Sequence, residues 1–173
     1  YLENLIQPLN NPEIIGTTHE LEIVSNTDNI WSRCWGKIRV SKEEAEKVKI
    51  FRAIRKNKFL ELGGFNPKYG YADDQTFWFK YKIKPVVATG TICYHKNPES
   101  LDAVYRQSRW IGASHSVNFV KIAGMVLLFP VFIPFLSLRK CKKNKDFIIF
   151  PAMLVFMTAR YFGNLAGYWN KLV

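Results

Sequence analysis

The sequence is poor in cysteine: Cys34, Cys93 and Cys141 are the three it has, an odd number at wide spacing with no Cys-x-x-Cys pair and no Cys/His cluster. That excludes a disulfide-stapled scaffold and a zinc cage, and it points to a reducing compartment. Negative charge is nearly missing from the C-terminal third. Residues 117–173 hold 8 basic side chains against Asp146 alone, whereas residues 1–116 hold 17 basic against 13 acidic. The net charge of +11 therefore divides into +7 for the tail and +4 for everything before it. Internal repeats and low-complexity tracts are absent, which excludes a solenoid or a fibrous chain. There is no initiator Met and no signal peptide; Tyr1-Leu-Glu-Asn-Leu-Ile-Gln-Pro reads as a helix already under way, so the chain is expected to be the latter part of something longer.

What is abundant is apolar and aromatic. Apolar residues make up 48% of the chain and aromatics 15%, with 13 Phe, 8 Tyr and 5 Trp, a composition that excludes disorder and suggests a large core or contact with lipid. Apolar residues at 2, 5, 6 and 9 have helical spacing, and Pro8 with Asn10-Asn11-Pro12 ends that helix. Ile14–Val24 alternates as a strand. Asn29–Lys58 is amphipathic and basic, with Ser41 and Glu44 placed as a capping box and Glu43/Lys47 in i,i+4 order, so one or two helices are expected there. A turn-rich stretch follows, Gly63-Gly64-Phe65-Asn66-Pro67 and Tyr69-Gly70-Tyr71; Asp73-Asp74 then opens a helix through Lys82, where acids suit the dipole. Pro85–Thr91 is a β-branched run ending near His95, and Pro98-Glu-Ser-Leu begins a helix into Ala113.

Two uncharged runs mark the tail, Ile122–Leu138 of 17 residues and Phe147–Ala159 of 13, separated by Arg139-Lys-Cys-Lys-Lys-Asn-Lys. They give roughly 25 Å and 20 Å of helix against a ~30 Å hydrocarbon core, and Pro130, Pro134 and Pro151 interrupt them. Two full spans would put the basic loop at 139–145 across the membrane from residues 1–116, against the positive-inside tendency. A hairpin that enters and returns, or two interfacial helices, keeps that loop beside anionic headgroups on the side of the main domain. Tyr161, Tyr168, Trp169 and Lys171 resemble an interfacial belt, and Arg160 can snorkel. The competing reading is a pair of buried core helices. Because the positive excess lies between apolar runs and no recognition motif accompanies it, no nucleic acid is expected as a partner.

Four local features carry chemistry. Gly63-Gly64 permits positive φ and close backbone approach to a ligand, or simply a tight turn. Asp73-Asp74 sits at a loop-to-helix junction, where one carboxylate can accept a proton and the other orient a ligand, or both can cap the helix. His95 ends a strand, where a neutral imidazole can ligate a metal or serve structure alone. Arg106 and Arg109 share a helix face able to clamp phosphate, while Trp110 offers a stacking plane for a sugar; the alternative is a basic helix resting on headgroups.

Taken in order, Phe51-Arg-Ala-Ile-Arg, Gly63-Gly64-Phe65-Asn66, Tyr71-Ala72-Asp73-Asp74, Tyr94-His95 and Gln107-Ser-Arg-Trp resemble the second half of family 2 glycosyltransferases of the GT-A fold. The resemblance covers roughly residues 1–115. It implies an α/β fold class: the second half of a GT-A mixed sheet with flanking helices over 1–116, followed by a C-terminal membrane-associated helical hairpin over 117–173. It implies that Asp74 is the catalytic base, that Gly63, Gly64, Asp73 and Trp110 face the acceptor, that Arg106, Gln107 and Arg109 face the donor diphosphate, and that His95 helps hold Mg²⁺ or Mn²⁺. Processive members favour Gln-x-x-Arg-Trp; here Arg106 occupies the first position and Gln107 the next, which argues against processive synthesis. The family's Asp-x-Asp metal motif occurs nowhere in the chain, so this piece alone is expected to be inactive.

The implied reaction is a hexosyltransferase-like, inverting transfer from a nucleotide-diphosphate sugar to a lipid-linked or surface-glycan acceptor. Membrane lipids are the further partner, with the catalytic part on the cytoplasmic face of the cell membrane. The alternative is a non-catalytic, membrane-bound binding or scaffold fragment of the same fold.

Overall fold

The computed structural model describes residues 1–114 and 119–172. The chain is mixed α/β and divides into two compact units. The first comprises Tyr1–Ser25 and Ile38–His95, and the second comprises Asn26–Lys37 and Lys96–Val173. The boundary expected between 116 and 117 lies outside the described residues.

In the first unit, α1 (Leu2–Ile6) passes into a 3₁₀ turn at Gln7–Asn10, where Pro8 withholds a donor. Strand β1 (Gly16–Val24) is the centre of a four-stranded sheet. Along one edge it pairs antiparallel with β2 (Ile38–Val40) near its end and with β3 (Ala53–Ile54) near its start; along the other it pairs parallel with β4 (Val86–His95). Covered on both edges, β1 buries Thr17, Thr18 and His19 completely although none is apolar. In the same unit Phe77 is fully buried, with Phe51, Phe59 and Phe65 at centroid distances of 5.6–5.9 Å. Offset and edge-on aromatic packing of this kind adds to the ~1.5–3 kcal/mol gained by burying one such ring.

The helices expected across Asn29–Lys58 do not form. Instead the structure has α2 (Ile30–Trp35), which belongs to the second unit, then β2, a 3₁₀ turn at Lys42–Lys47, β3, and α3 (Lys56–Glu61). α2 stops at Gly36, and the β-branched residues of Ile38–Val40 satisfy their backbone on the open edge of β1, so tertiary pairing overrides helical spacing. Ser41 stands at the N-cap position of the 3₁₀ turn but makes no side-chain cap hydrogen bond, so the expected capping box with Glu44 does not form.

The second unit is helical, built from α2, α5 (Leu101–Ala113), α6 (Phe119–Asn144) and α7 (Phe150–Leu172). Its core joins Cys34, Val104, Cys141, Ile149, Met153 and Phe156. Ser100 caps α5 through a hydrogen bond from the amide of Ala103. α5 and α7 meet backbone to backbone: a Cβ at Gly163 or Gly167 would strike the carbonyls of Tyr105 and Arg109, and one at Gly112 would strike Asn164. Gly163 and Gly167 are four apart on α7, so they present one bare stripe to α5. Arg139–Lys143, expected in a loop, form the end of α6, where positive charge suits the helix dipole; Lys145 at φ 52 and the bond from the Asp146 amide to the Cys141 carbonyl close it. Within α6, Ile122–Asn144 is long and apolar enough to cross a membrane by length and composition, and Leu127, Val131 and Phe135 are among its exposed residues.

Candidate functional site: a basic cleft around a buried carboxylate

The first unit holds a cleft of about 360 Å³ lined by His19, Glu22, Arg39, Lys47, Lys49 and Arg52, among others. Its floor is Glu22, 2% exposed. Residues 19 and 22 would leave a regular strand on opposite faces, but the β1–β4 register is irregular between His19 and Leu21, and His19 Nε2 donates to Glu22 Oε2 at 3.0 Å. Arg52 Nη2 donates to the same oxygen at 3.2 Å. Arg39 Nε lies 3.4 Å and His95 Nδ1 3.3 Å from Glu22 Oε1, and the Arg39 guanidinium also contacts Nε2 of His95. Burial by itself would raise the Glu22 carboxyl, but the hydrogen bond from His19 and the charges of Arg39 and Arg52 outweigh it and hold the group at about 2, below its ordinary 4.5. His95 moves the other way. Burial and Arg39 push its pKa below the usual 6.5 against the opposing pull of Glu22, so the imidazole is neutral at pH 7.

Gln75 closes the far wall of the cleft, and Asp73 and Asp74 precede it. The acidic pair was expected to open a helix. It sits instead in the last turn of the 3₁₀ stretch Pro67–Gln75, and α4 (Thr76–Tyr81) starts just after it. Buried Thr76 sets that boundary: its hydroxyl donates to the Asp73 carbonyl at 2.5 Å and accepts from the Asn66 amide at 2.9 Å. Asp74 is half-buried, and its pKa is raised by burial and by Asp73, with Arg52 pulling it down. Arg52 thus acts electrostatically on Glu22, His95 and Asp74 together.

The structure brings Asp73, Asp74 and His95 into the unit that holds the cleft. Gly63 and Gly64 are also there, with φ of 79° and 67° as paired glycines allow, but they form the turn ending α3 and are not among the residues lining the cleft. Arg106, Gln107, Arg109 and Trp110 are on α5 in the second unit. Arg106 pairs with Asp102 at 2.7 Å on an exposed face, an interaction of little energy that leaves the guanidinium available. Trp110 is 55% exposed, and Arg109 Nη2 donates to the Asn170 side-chain oxygen at 2.6 Å.

Sequence reasoning missed His19, Glu22 and Arg39, and left Arg52 without a role. Glu20 and Glu22 alternate with Leu21 and Ile23, the pattern of a solvated face, and only the polar run Thr17-Thr18-His19 hinted that β1 is covered on both sides. Among the described residues no three His, Cys, Asp or Glu converge on one point. His95 offers a single imidazole whose Nδ1 faces Glu22 and whose Nε2 contacts Arg39, so an ion would have to displace one of these partners and draw its other ligands from phosphate and water.

No family model, curated protein or solved structure matches this chain.

Proposed function

We propose that the chain is the acceptor-side part of an inverting glycosyltransferase of the family 2, GT-A type, working at a membrane surface. The observation that carries this reading is the cleft itself. Four cations line the cleft with a buried carboxylate whose charge is already satisfied, which leaves net positive potential for a nucleoside diphosphate, and Asp74, a carboxylate of raised pKa, directly precedes the lining residue Gln75. In this mechanism Asp74 takes the proton of an acceptor hydroxyl as that oxygen bonds to the anomeric carbon. The bond from that carbon to the diphosphate breaks, and the leaving oxygen keeps the electron pair. Arg39, Arg52 and Lys49 neutralise the departing charge. When bound, Mg²⁺ or Mn²⁺ would be held by His95 and would add to that neutralisation.

The exposed apolar face and basic end of α6 support attachment to the membrane, with the basic end at the headgroups of the cytoplasmic face. α5 carries Asp102, Arg106 and Arg109 and packs tightly along α7, and a charged helix held against α7 supports an interfacial or re-entrant hairpin over two full spans. A second reading, a non-catalytic binding or scaffold module, draws on His95, whose Nδ1 faces Glu22 and whose Nε2 contacts Arg39, so that neither ring nitrogen stands open.

The deciding experiment is transfer of radiolabelled sugar from nucleotide donors to lipid acceptors in membranes carrying the whole protein. Asp74→Asn is expected to lower kcat by about 10²–10⁴-fold with nucleoside diphosphate affinity unchanged. Near-normal turnover would remove Asp74 as base, and absence of transfer by the unaltered protein would favour the binding module.

A further inference from the structure

The first unit has a second basic surface, on the outer side of α4. Phe77 is fully buried and fixes the inner side of that helix against Phe51, Phe59 and Phe65. At about 3.6 residues per turn, Phe79 leaves α4 about 200° around the axis from Phe77, on the side that is ordinarily polar. It is 39% exposed, and its ring is held 4.8 Å from that of Tyr69, so the phenyl group is presented in a fixed position. Trp78 beside it is half-buried, and the ammonium groups of Lys49, Lys82 and Lys84 lie 4.7, 5.3 and 5.3 Å from its ring centre. Lys80, also exposed, is on the same short helix.

The indole attracts each cation, but the three ammonium groups repel one another, and none of them forms an ion pair among the described residues. The sequence supplies no local acid either: between Asp74 and Glu99 it has Lys80, Lys82, Lys84 and Lys96 and neither Asp nor Glu. Lys82 holds its place at a conformational cost, since it is the C-cap of α4 at φ 59°, in the left-handed region that glycine adopts freely. The cluster's countercharge thus comes from outside the chain, and Phe79 decides its kind. A free phosphate makes no use of an exposed phenyl ring beside lysines, whereas the boundary between anionic headgroups and acyl chains takes both, with tryptophan at the same depth.

We infer that the outer face of α4 is a membrane-contact surface for an anionic leaflet, with Phe79 and Trp78 entering the headgroup boundary and Lys80, Lys82 and Lys84 among the phosphates. Lys49 also lines the cleft, so this face adjoins the candidate site and brings it to the lipid surface, where a lipid-linked acceptor lies. The inference rests on the proposed membrane setting and is independent of sugar transfer.

The test uses the full chain with p-benzoylphenylalanine in place of Phe79, illuminated in nanodiscs of phosphatidylcholine alone or mixed with an equal amount of phosphatidylglycerol, with lipid adducts read by mass spectrometry. Each lysine near an anionic surface adds roughly fivefold to partitioning, so adducts at residue 79 are expected about tenfold or more enriched in the anionic discs and suppressed by about 0.5 M salt. Lys82→Glu combined with Lys84→Glu is expected to reduce them to the level of the neutral discs. Lys82→Gly separates charge from structure: glycine suits the left-handed C-cap, so the melting temperature should not fall, while adducts fall about fivefold. Absence of adducts in both discs, equal adducts in both, or undiminished adducts in Lys82→Gly overturns the surface. Adducts without sugar transfer would keep the surface and count against the enzyme. If the chain does not enter nanodiscs, the membrane setting and the surface fall together, and the transfer reaction keeps its own assay.

Discussion

Glu22 concentrates the energetics of the first unit in one side chain. Its carboxylate serves two imidazoles and two guanidiniums, and removing it would leave His19 buried without its acceptor. Glu22→Gln is expected to destabilise by about 2–3 kcal/mol, below the ~3–5 kcal/mol of a wholly buried pair because Arg39 and Arg52 can each turn to water. The pH dependence follows from the lowered pKa. The folded state binds this proton less readily than the unfolded chain, so the contribution is fully present above 4.5 and is lost as pH falls from there through about 2. Urea midpoints at about pH 7 and about pH 3 should therefore converge between wild type and Glu22→Gln at the acid end; a constant difference would place the stability elsewhere. Neither the role of Glu22 nor that of His19 was legible in the sequence, because an i,i+3 pair on a strand makes contact only where the register slips. Asp74 and His95 were legible as candidates, since each stands beside punctuation, a glycine-rich turn before one and a strand end before proline at the other, and both fall in the unit that holds the cleft.

At the scale of elements, signals that agree with the tertiary pairing survived whatever their length. α1, β1, β4, α5 and the two tail helices appear near their expected places because their patterning suits the sheet and helix faces they occupy. The stretch from 29 to 58 divides into five short pieces because its backbone groups find partners on a sheet edge that a linear reading does not contain. The most consequential omission is the Gly163/Gly167 stripe, which lies beyond Arg160, where the apolar run had already ended. Gly167→Leu forces a side chain into the α5 backbone at Arg109 and Ala113 and is expected to cost more than the ~1–3 kcal/mol of ordinary overpacking. Reaction of the buried thiols Cys34 and Cys141 with a thiol reagent reports the damage. Both should become accessible in Gly167→Leu and stay protected in Gly124→Leu, whose new side chain meets open space.

The whole molecule is not ordered along its sequence. A reading by composition divides it near 116, where charge and apolar content change, but the compact units interleave: Asn26–Lys37 lies between two parts of the first unit in sequence and belongs to the second. No composition signal marks that segment, since Ile30–Trp35 looks like any short amphipathic helix. A chain shortened to residues 1–116 would leave Cys34 and Trp35 without Phe156 and Cys141 to cover them. It is expected to collect as aggregate, and a soluble, cooperatively melting product would show that the second unit is dispensable.

The ion pair between Arg33 and Asp146 also sets a clock. The two residues are 113 positions apart, and at synthesis rates of ~5–20 residues per second Arg33 emerges on the order of 10 s before its partner exists. Until then α2 lacks both its ion-pair partner and the Phe156 ring that packs on Trp35, so the second unit can close only after the last helices have been made.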